Sequence, residues 1–119
     1  MDIKLYILKN TGLLVISVRI LGDAEAPDLP AKVKDLISNG IKNIILDLSA
    51  AKAINSIGIG TLLECLSAVE KVSGKLKLAD VSDKIMEILN RTEVSRLFNI
   101  YDSVDSALVD SHPDPGENY

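Results

Sequence analysis

The sequence predicts an α/β fold, with a mixed sheet of four to five strands and about four to five helices packed on it. Three observations lead to this prediction: short apolar runs typical of strands, helical apolar spacing between those runs, and turn residues separating the two. The expected order is β-β-α-β-α-β-α-β-α. Most inner strands should therefore be parallel and joined by right-handed crossovers.

Length and composition predict one domain. The chain has 119 residues, 47% of them apolar, and we expect a folded domain over residues 1–110 followed by a flexible tail over 111–119. The formal net charge is -4 and no Lys/Arg-rich segment occurs, which argues against nucleic acid as a partner. A single cysteine and no apolar leader after a basic start predict a cytoplasmic protein without membrane insertion. Proteins are the expected partners.

The first third of the chain indicates a hairpin and a helix. Strand-like runs over 4–9 and 13–21 are separated by the turn signal Asn10-Thr11-Gly12. Asp28 is a candidate N-cap for a helix that should end at Ser38-Asn39-Gly40. The apolar face of that helix contains Leu29, Val33, Leu36 and Ile37.

The middle of the chain begins with Ile44–Leu48, a nearly continuous apolar run that predicts a central strand covered on both faces. A loop is expected over 49–55 and a helix over 57–72, ahead of an alternating strand over 75–79. The apolar face of this helix contains Ile59, Leu62, Leu63, Leu66 and Val69.

The last third predicts shorter elements. Ser82 or Asp83 can cap a helix, and a further turn should follow around 94–98. A minimal strand is expected at 100–101, and Asp102 or Ser103 can cap a last helix.

Ser56 is the main candidate functional residue, because it lies between the loop after the central strand and an apolar helix. In parallel sheets the crevice beyond the carboxyl ends of the strands is the usual functional site. Enzyme chemistry fits poorly, since Ile54 replaces the leading glycine of a G-x-S-x-G elbow and the sole histidine, His112, lies in the predicted tail. Gly58-Ile59-Gly60 lacks the third glycine of a dinucleotide loop. We therefore expect no enzyme activity, no cofactor and no metal.

Several interpretations remain open from the residues alone. Ser56 could be an ordinary helix cap worth about 1 kcal/mol. Gly58 and Gly60 could keep the neighbouring surface bare or could allow close packing of the helix on the sheet, and the two interpretations carry equal weight. Cys65 is expected to serve packing rather than redox chemistry.

Two separated segments resemble the STAS domain of bacterial anti-sigma factor antagonists. Ile44–Ser49 followed by Ile54–Leu63 is similar to that family's L-D-L-S-like strand end and its D-S-S/T-G-L-G run. The segment Thr92–Leu108 is similar to its C-terminal helix, short strand and final helix. The resemblance implies a STAS-like fold over nearly the whole domain.

The resemblance also implies a partner switch with Ser56 as the phosphoacceptor. The unphosphorylated form would bind an anti-sigma factor that is also a serine kinase, freeing a sigma factor, and phosphorylation would end that binding; a serine phosphatase would reverse it. Asp47 and Asn55 would shape the acceptor loop. The partner-binding residues implied are Asp23, Asn55, Ser56, Ile57, Gly58 and Thr61.

Three positions depart from the family pattern. Asn55 stands in place of an aspartate, Ile57 in place of a second small hydroxyl residue, and the turn Gly22-Asp23-Ala24 is shortened. An alternative is therefore a STAS scaffold that is never phosphorylated and serves a lipid-transport complex or a multi-protein signalling assembly.

Overall fold

The computed structural model describes residues 2–24 and 28–109, which form one mixed sheet with helices on both faces. The strands are β1 (Asp2–Leu8), β2 (Thr11–Leu21), β3 (Asn43–Asp47), β4 (Ala51–Ile54), β5 (Lys75–Ala79) and β6 (Asn99–Tyr101). The helices are α1 (Leu29–Ser38), α2 (Ser56–Glu70), α3 (Asp83–Arg91) and α4 (Val104–Val109), with a 3₁₀ turn at Ser95–Leu97. The α/β fold class is confirmed.

The sheet runs in the order β1-β2-β3-β5-β6, and β4 pairs with β2 off this path. Only β1 and β2 are antiparallel among the described pairs; the others are parallel, as expected for strands joined by helices. The hairpin turn is Lys9–Asn10 rather than Asn10-Thr11-Gly12, because Thr11 already pairs with Leu8. Lys9 has a positive φ of 59°, which suits this tight connection.

Strand β4 is an element that the sequence analysis placed in a loop. Its residues pair in parallel with the C-terminal part of β2, with Val18 opposite Ala51 and Leu21 opposite Ile54. The described sheet therefore has six strands rather than four to five. Four residues give too short a pattern to reveal a strand, and the hydrogen bonds that create it come from a segment 33 residues earlier in the chain.

The main core lies between the sheet and helices α1, α2 and α3. Leu14, Leu46 and Leu78 fill it from three neighbouring strands, and each is at most 1% exposed. A smaller cluster of Leu13, Ile45, Ala79 and Ala107 lies on the opposite face under α4. Side chains alternate across a strand, so the two clusters follow from the sequence of the strands themselves.

The starts of α1, α3 and α4 agree with the expected caps, and two of these caps had been left ambiguous. Asp28 accepts a hydrogen bond from the Ala31 N–H at 3.1 Å. Ser82 rather than Asp83 caps α3, accepting from the Ile85 N–H at 3.2 Å. Ser103 rather than Asp102 precedes α4, and its Oγ accepts from the Ser106 N–H at 3.1 Å.

The predicted tail over 111–119, with His112, lies outside the described residues. Among residues 2–24 and 28–109, none of the helices has the length and apolar character needed to cross a membrane.

Candidate functional site

The ends of β2 and β4 and the start of α2 meet at one place. The Asn55 N–H donates to the Leu21 carbonyl at 3.2 Å, which ties the end of β4 to the end of β2. The chain then turns directly into α2 at Ser56. Ser56 therefore lies beyond the carboxyl ends of parallel strands, as the sequence analysis expected.

Asn55, not Ser56, caps helix α2. The Asn55 side-chain oxygen accepts from the Gly58 N–H at 2.9 Å, and its carbonyl accepts from the Ile59 N–H at 3.0 Å. Asn55 has an extended backbone, with φ -118° and ψ -177°, as an N-cap residue requires. The interpretation of Ser56 as a helix cap is therefore wrong. Ser56 is the first residue of α2, one position after the N-cap residue.

The Ser56 side chain is exposed and makes no hydrogen bond to any residue that the structure describes. Asn55 already serves the first turn, so the Ser56 hydroxyl is left to solvent. No acidic side chain lies in the first turn of α2. The hydroxyl thus sits at the positive end of a 15-residue helix without a neighbouring carboxylate on that turn.

The two glycines of the first turns differ in role. Gly58 is buried, and a Cβ there would overlap the carbonyl group of Leu21. Gly60 is exposed, and a Cβ there would meet no atom within 4 Å. Close packing therefore explains Gly58, whereas Gly60 fits the interpretation of a bare surface.

Gly22 is a site residue that the sequence analysis named only as part of a shortened turn. Its φ of +109° is unfavourable for any residue with a side chain, and a Cβ would overlap the Asn55 side-chain oxygen and the Gly58 nitrogen. Gly22 thus lets the end of β2 pack directly against the Asn55 cap. A glycine directly after a strand-like run is the signal that could have identified it.

Asp23 follows Gly22 and is brought to the same end of the sheet. Its N–H donates to the Ile20 carbonyl at 3.1 Å, and its side chain is half-buried. The packing of Gly22 on the Asn55 cap therefore places the Asp23 turn beside the start of α2.

The exposed part of the site is apolar next to the serine. Ile57 is 66% exposed, an unusual position for a large apolar side chain. Thr61 lies one turn further along α2, where its hydroxyl donates to the Ile57 carbonyl at 3.0 Å. We use the name α2 surface for the residues Ser56, Ile57, Gly60 and Thr61. This surface offers a binding partner its shape and apolar contact.

Asp47 lies at the other end of the segment that connects β3 to α2. Its side chain accepts from the Ser49 N–H at 2.9 Å, and the Ala51 N–H donates to the Leu48 carbonyl at 3.0 Å. These bonds fix the turn between β3 and β4. The structure therefore places Asp47 at the beginning of this segment and Asn55 at its end.

Cys65 is fully buried on α2, which confirms a packing role. Burial raises the pKa of its thiol to about 12, and Glu64 adds to the shift, so the reactive thiolate is suppressed at neutral pH. In residues 2–24 and 28–109, no cluster of His, Cys, Asp or Glu could hold a metal ion.

Comparison with known protein families gives a match over most of the chain. A family model described as STAS domain matches residues 5–107. A candidate anti-sigma factor antagonist from Thermotoga neapolitana is 28% identical over 74 residues, which is 62% of this chain and 66% of that protein. The match thus spans slightly less than two thirds of the length of this curated relative.

Solved structures share the fold. SpoIIAA, an anti-sigma factor antagonist from Bacillus, aligns in its unphosphorylated form with a TM-score of 0.69 and 18% identity, over 91% of this chain and 94% of SpoIIAA. Its phosphorylated form aligns with a TM-score of 0.67 and 17% identity, over 90% and 96%. A sulfate transporter family protein from Wolinella succinogenes aligns with a TM-score of 0.71 and 27% identity, over 87% and 85%.

Proposed function

The chain belongs to the STAS domain family, and from this membership we propose that it is an anti-sigma factor antagonist controlled by phosphorylation of Ser56. In this proposal the unphosphorylated form binds an anti-sigma factor with serine kinase activity, and a sigma factor is released. Phosphorylation of Ser56 then ends the binding, and a serine phosphatase restores it. The name of the Thermotoga relative supports the antagonist function.

The observation that carries the proposal is the free Ser56 hydroxyl at the start of α2. Because Asn55 provides the cap, Ser56 can enter a kinase active site without loss of the helix start. The existence of SpoIIAA structures in both phosphorylation states is consistent with a switch on this fold.

Phosphorylation would change the charge of the α2 surface more than it would change the backbone conformation of α2. The Ser56 oxygen attacks the γ-phosphorus of ATP, loses its proton to a base of the kinase, and ADP leaves. The product carries about -1.5 to -2 charges, which the N-terminus of α2 stabilises. A partner that packs against the exposed Ile57 would then have to desolvate a phosphate, which is unfavourable.

The remaining site residues have distinct parts in this proposal. Ile57 and Thr61 supply contact area, and the Asp23 turn lies beside the start of α2. Gly58 contributes by letting α2 pack against Leu21, and Asn55 holds the helix start. Asp47, at the far end of the β3–β4–α2 connection, keeps that connection in shape.

The direct test is incubation of the full chain with its cognate kinase and Mg-ATP, followed by peptide mass spectrometry. We expect one phosphoryl group on Ser56, none on Ser56→Ala, and an unchanged level on Ser67→Ala, which alters another exposed serine of α2. Ser56→Asp should weaken binding to the anti-sigma factor by tenfold or more. Phosphate on another residue, or none at all, would refute the site assignment.

The second candidate function is a STAS scaffold without phosphorylation, in a lipid-transport complex or a signalling assembly. Ile57 in place of a hydroxyl residue favours it, as does the 27% identity to a sulfate transporter family protein. In that case Ser56→Asp would leave the affinity for the partner unchanged. The two candidates thus give opposite outcomes for one variant.

A further inference from the structure

Strand β1 is an edge strand with apolar side chains exposed on both of its faces. Leu5, Tyr6, Ile7 and Leu8 are between 41% and 50% exposed. Leu5 and Ile7 point to the face covered elsewhere by α1 and α2, because they pair with Leu14 and Gly12 of β2. Tyr6 points to the opposite face, beside Leu13. A helix docking on one face would leave half of these side chains exposed.

The outer backbone edge of β1 is also unpaired among the described residues. With only Lys9 and Asn10 between them, Leu8 and Thr11 must exchange hydrogen bonds, and alternation then turns Tyr6, Lys4 and Asp2 towards β2. The N–H and C=O groups of Ile3, Leu5 and Ile7 therefore point outwards. Exposed apolar edges of this kind are templates for pairing with another strand.

We propose that β1 pairs with β1 of a second copy of this chain, antiparallel about a two-fold axis at Leu5. Ile3 then lies opposite Ile7 of the other copy, and Leu5 opposite Leu5. The three residues whose backbone groups point outwards thus face one another in hydrogen-bonded pairs. The apolar order Ile-Leu-Ile at these positions reads the same in both directions, as a two-fold interface requires.

Charge and backbone conformation favour this register over the two neighbouring ones. An axis at Lys4 would put two ammonium groups directly opposite each other, which is destabilising. An axis at Tyr6 would place Ile3 opposite Lys9, whose φ of 59° takes it out of the strand. With the axis at Leu5, Lys4 lies across from a Tyr6 ring at both ends, a cation–π arrangement.

The charges at the ends of β1 are complementary in the same register. Asp2 begins the strand and Lys9 follows it, so antiparallel pairing about Leu5 brings each Asp2 opposite Leu8, next to the Lys9 turn of the other copy. Opposite charges therefore lie near each other at both ends of the interface. Ser56 is not part of β1, so the proposed dimer does not depend on whether Ser56 is phosphorylated.

The first test compares two leucines of similar exposure. Leu5 is 50% exposed and Leu97 is 46% exposed, so Leu5→Glu and Leu97→Glu place the same charge on the surface. Analytical ultracentrifugation of the full chain should show a concentration-dependent dimer for the wild type and Leu97→Glu, and a monomer for Leu5→Glu. Leu5→Pro should raise the dimer Kd about 25-fold, because symmetry removes two hydrogen bonds, each a factor of about 5.

The second test checks the register by cross-linking. In the proposed dimer the two Leu5 Cα atoms are about 5.5 Å apart, within the range of a disulfide, whereas the two Ile7 Cα atoms are about 14 Å apart. Under a mild oxidant, Leu5→Cys should form a covalent dimer and Ile7→Cys should not; the buried Cys65 stays unreacted in both. A wild type that is monomeric at millimolar concentration, a dimer that survives Leu5→Glu, or faster linkage of Ile7→Cys would overturn the proposal.

Discussion

Alanine at Gly58 and alanine at Gly60 should have opposite effects on stability. Both glycines lie in the first turns of α2, and both should raise helix propensity by about 1 kcal/mol when replaced. At Gly60 the added methyl group meets nothing within 4 Å, so the gain should be realised. We expect Gly60→Ala to raise the free energy of unfolding by about 0.5–1 kcal/mol.

At Gly58 the same methyl group overlaps the carbonyl of Leu21. Relief of the overlap requires α2 to move away from β2, at a cost of about 1–3 kcal/mol for overpacking. The movement also strains the 2.9 Å hydrogen bond from the Gly58 N–H to Asn55, worth about 1 kcal/mol. After the propensity gain is subtracted, Gly58→Ala should lower the free energy of unfolding by about 1–3 kcal/mol.

Urea denaturation of the two variants and the wild type measures these differences directly, provided that the slope with denaturant stays constant. In thermal unfolding each kcal/mol should correspond to about 3–6 °C for a domain of this size. A Gly58→Ala variant as stable as Gly60→Ala would refute the packing argument. Loss of partner binding by the stabilised Gly60→Ala would show that the partner needs the bare surface.

Three further predictions concern other contacts. Because Asn55 makes the cap, Asn55→Ala should lower the free energy of unfolding by about 1 kcal/mol in urea denaturation. Asn55→Asp and Ser56→Ala should each stay within about 0.5 kcal/mol of the wild type. A larger loss for Ser56→Ala would contradict the assignment of the cap to Asn55. Cys65 should resist a thiol reagent at pH 8 until the protein unfolds, and rapid labelling of the native protein would contradict its burial. Because the pKa of the buried thiol is raised, stability should fall as the pH rises from 9 to 12, relative to Cys65→Ala. Lys77→Met should speed the hydrogen exchange of backbone amides in α4, because Lys77 donates to the Ala107 carbonyl at 2.6 Å. Unchanged exchange rates would show that this hydrogen bond does not hold α4 in place.

Much of the fold was predictable because its signals are local. The strand over 75–79 has the predicted bounds, and α1 begins after the predicted Asp28 cap. Runs of alternating or helically spaced apolar residues report which side chains must be buried, and that information lies within a few neighbouring residues. The same patterns placed Ser56 next to the start of a helix, and the structure shows it as the first residue of α2.

The sequence alone thus determined the fold class, the family resemblance and the choice of Ser56 as the candidate residue. Tertiary structure decided which residue caps α2, which glycine is packed, and that Ala51–Ile54 is a strand. Each of these depends on the end of β2, where Leu21 and Gly22 contact Asn55 and Gly58 from more than 30 residues away in sequence. The exposure of β1 is of the same kind, because it depends on which sheet edge the helices leave uncovered. Local patterns fix hydrogen bonds between near neighbours, whereas contacts between distant segments exist only once the chain has folded.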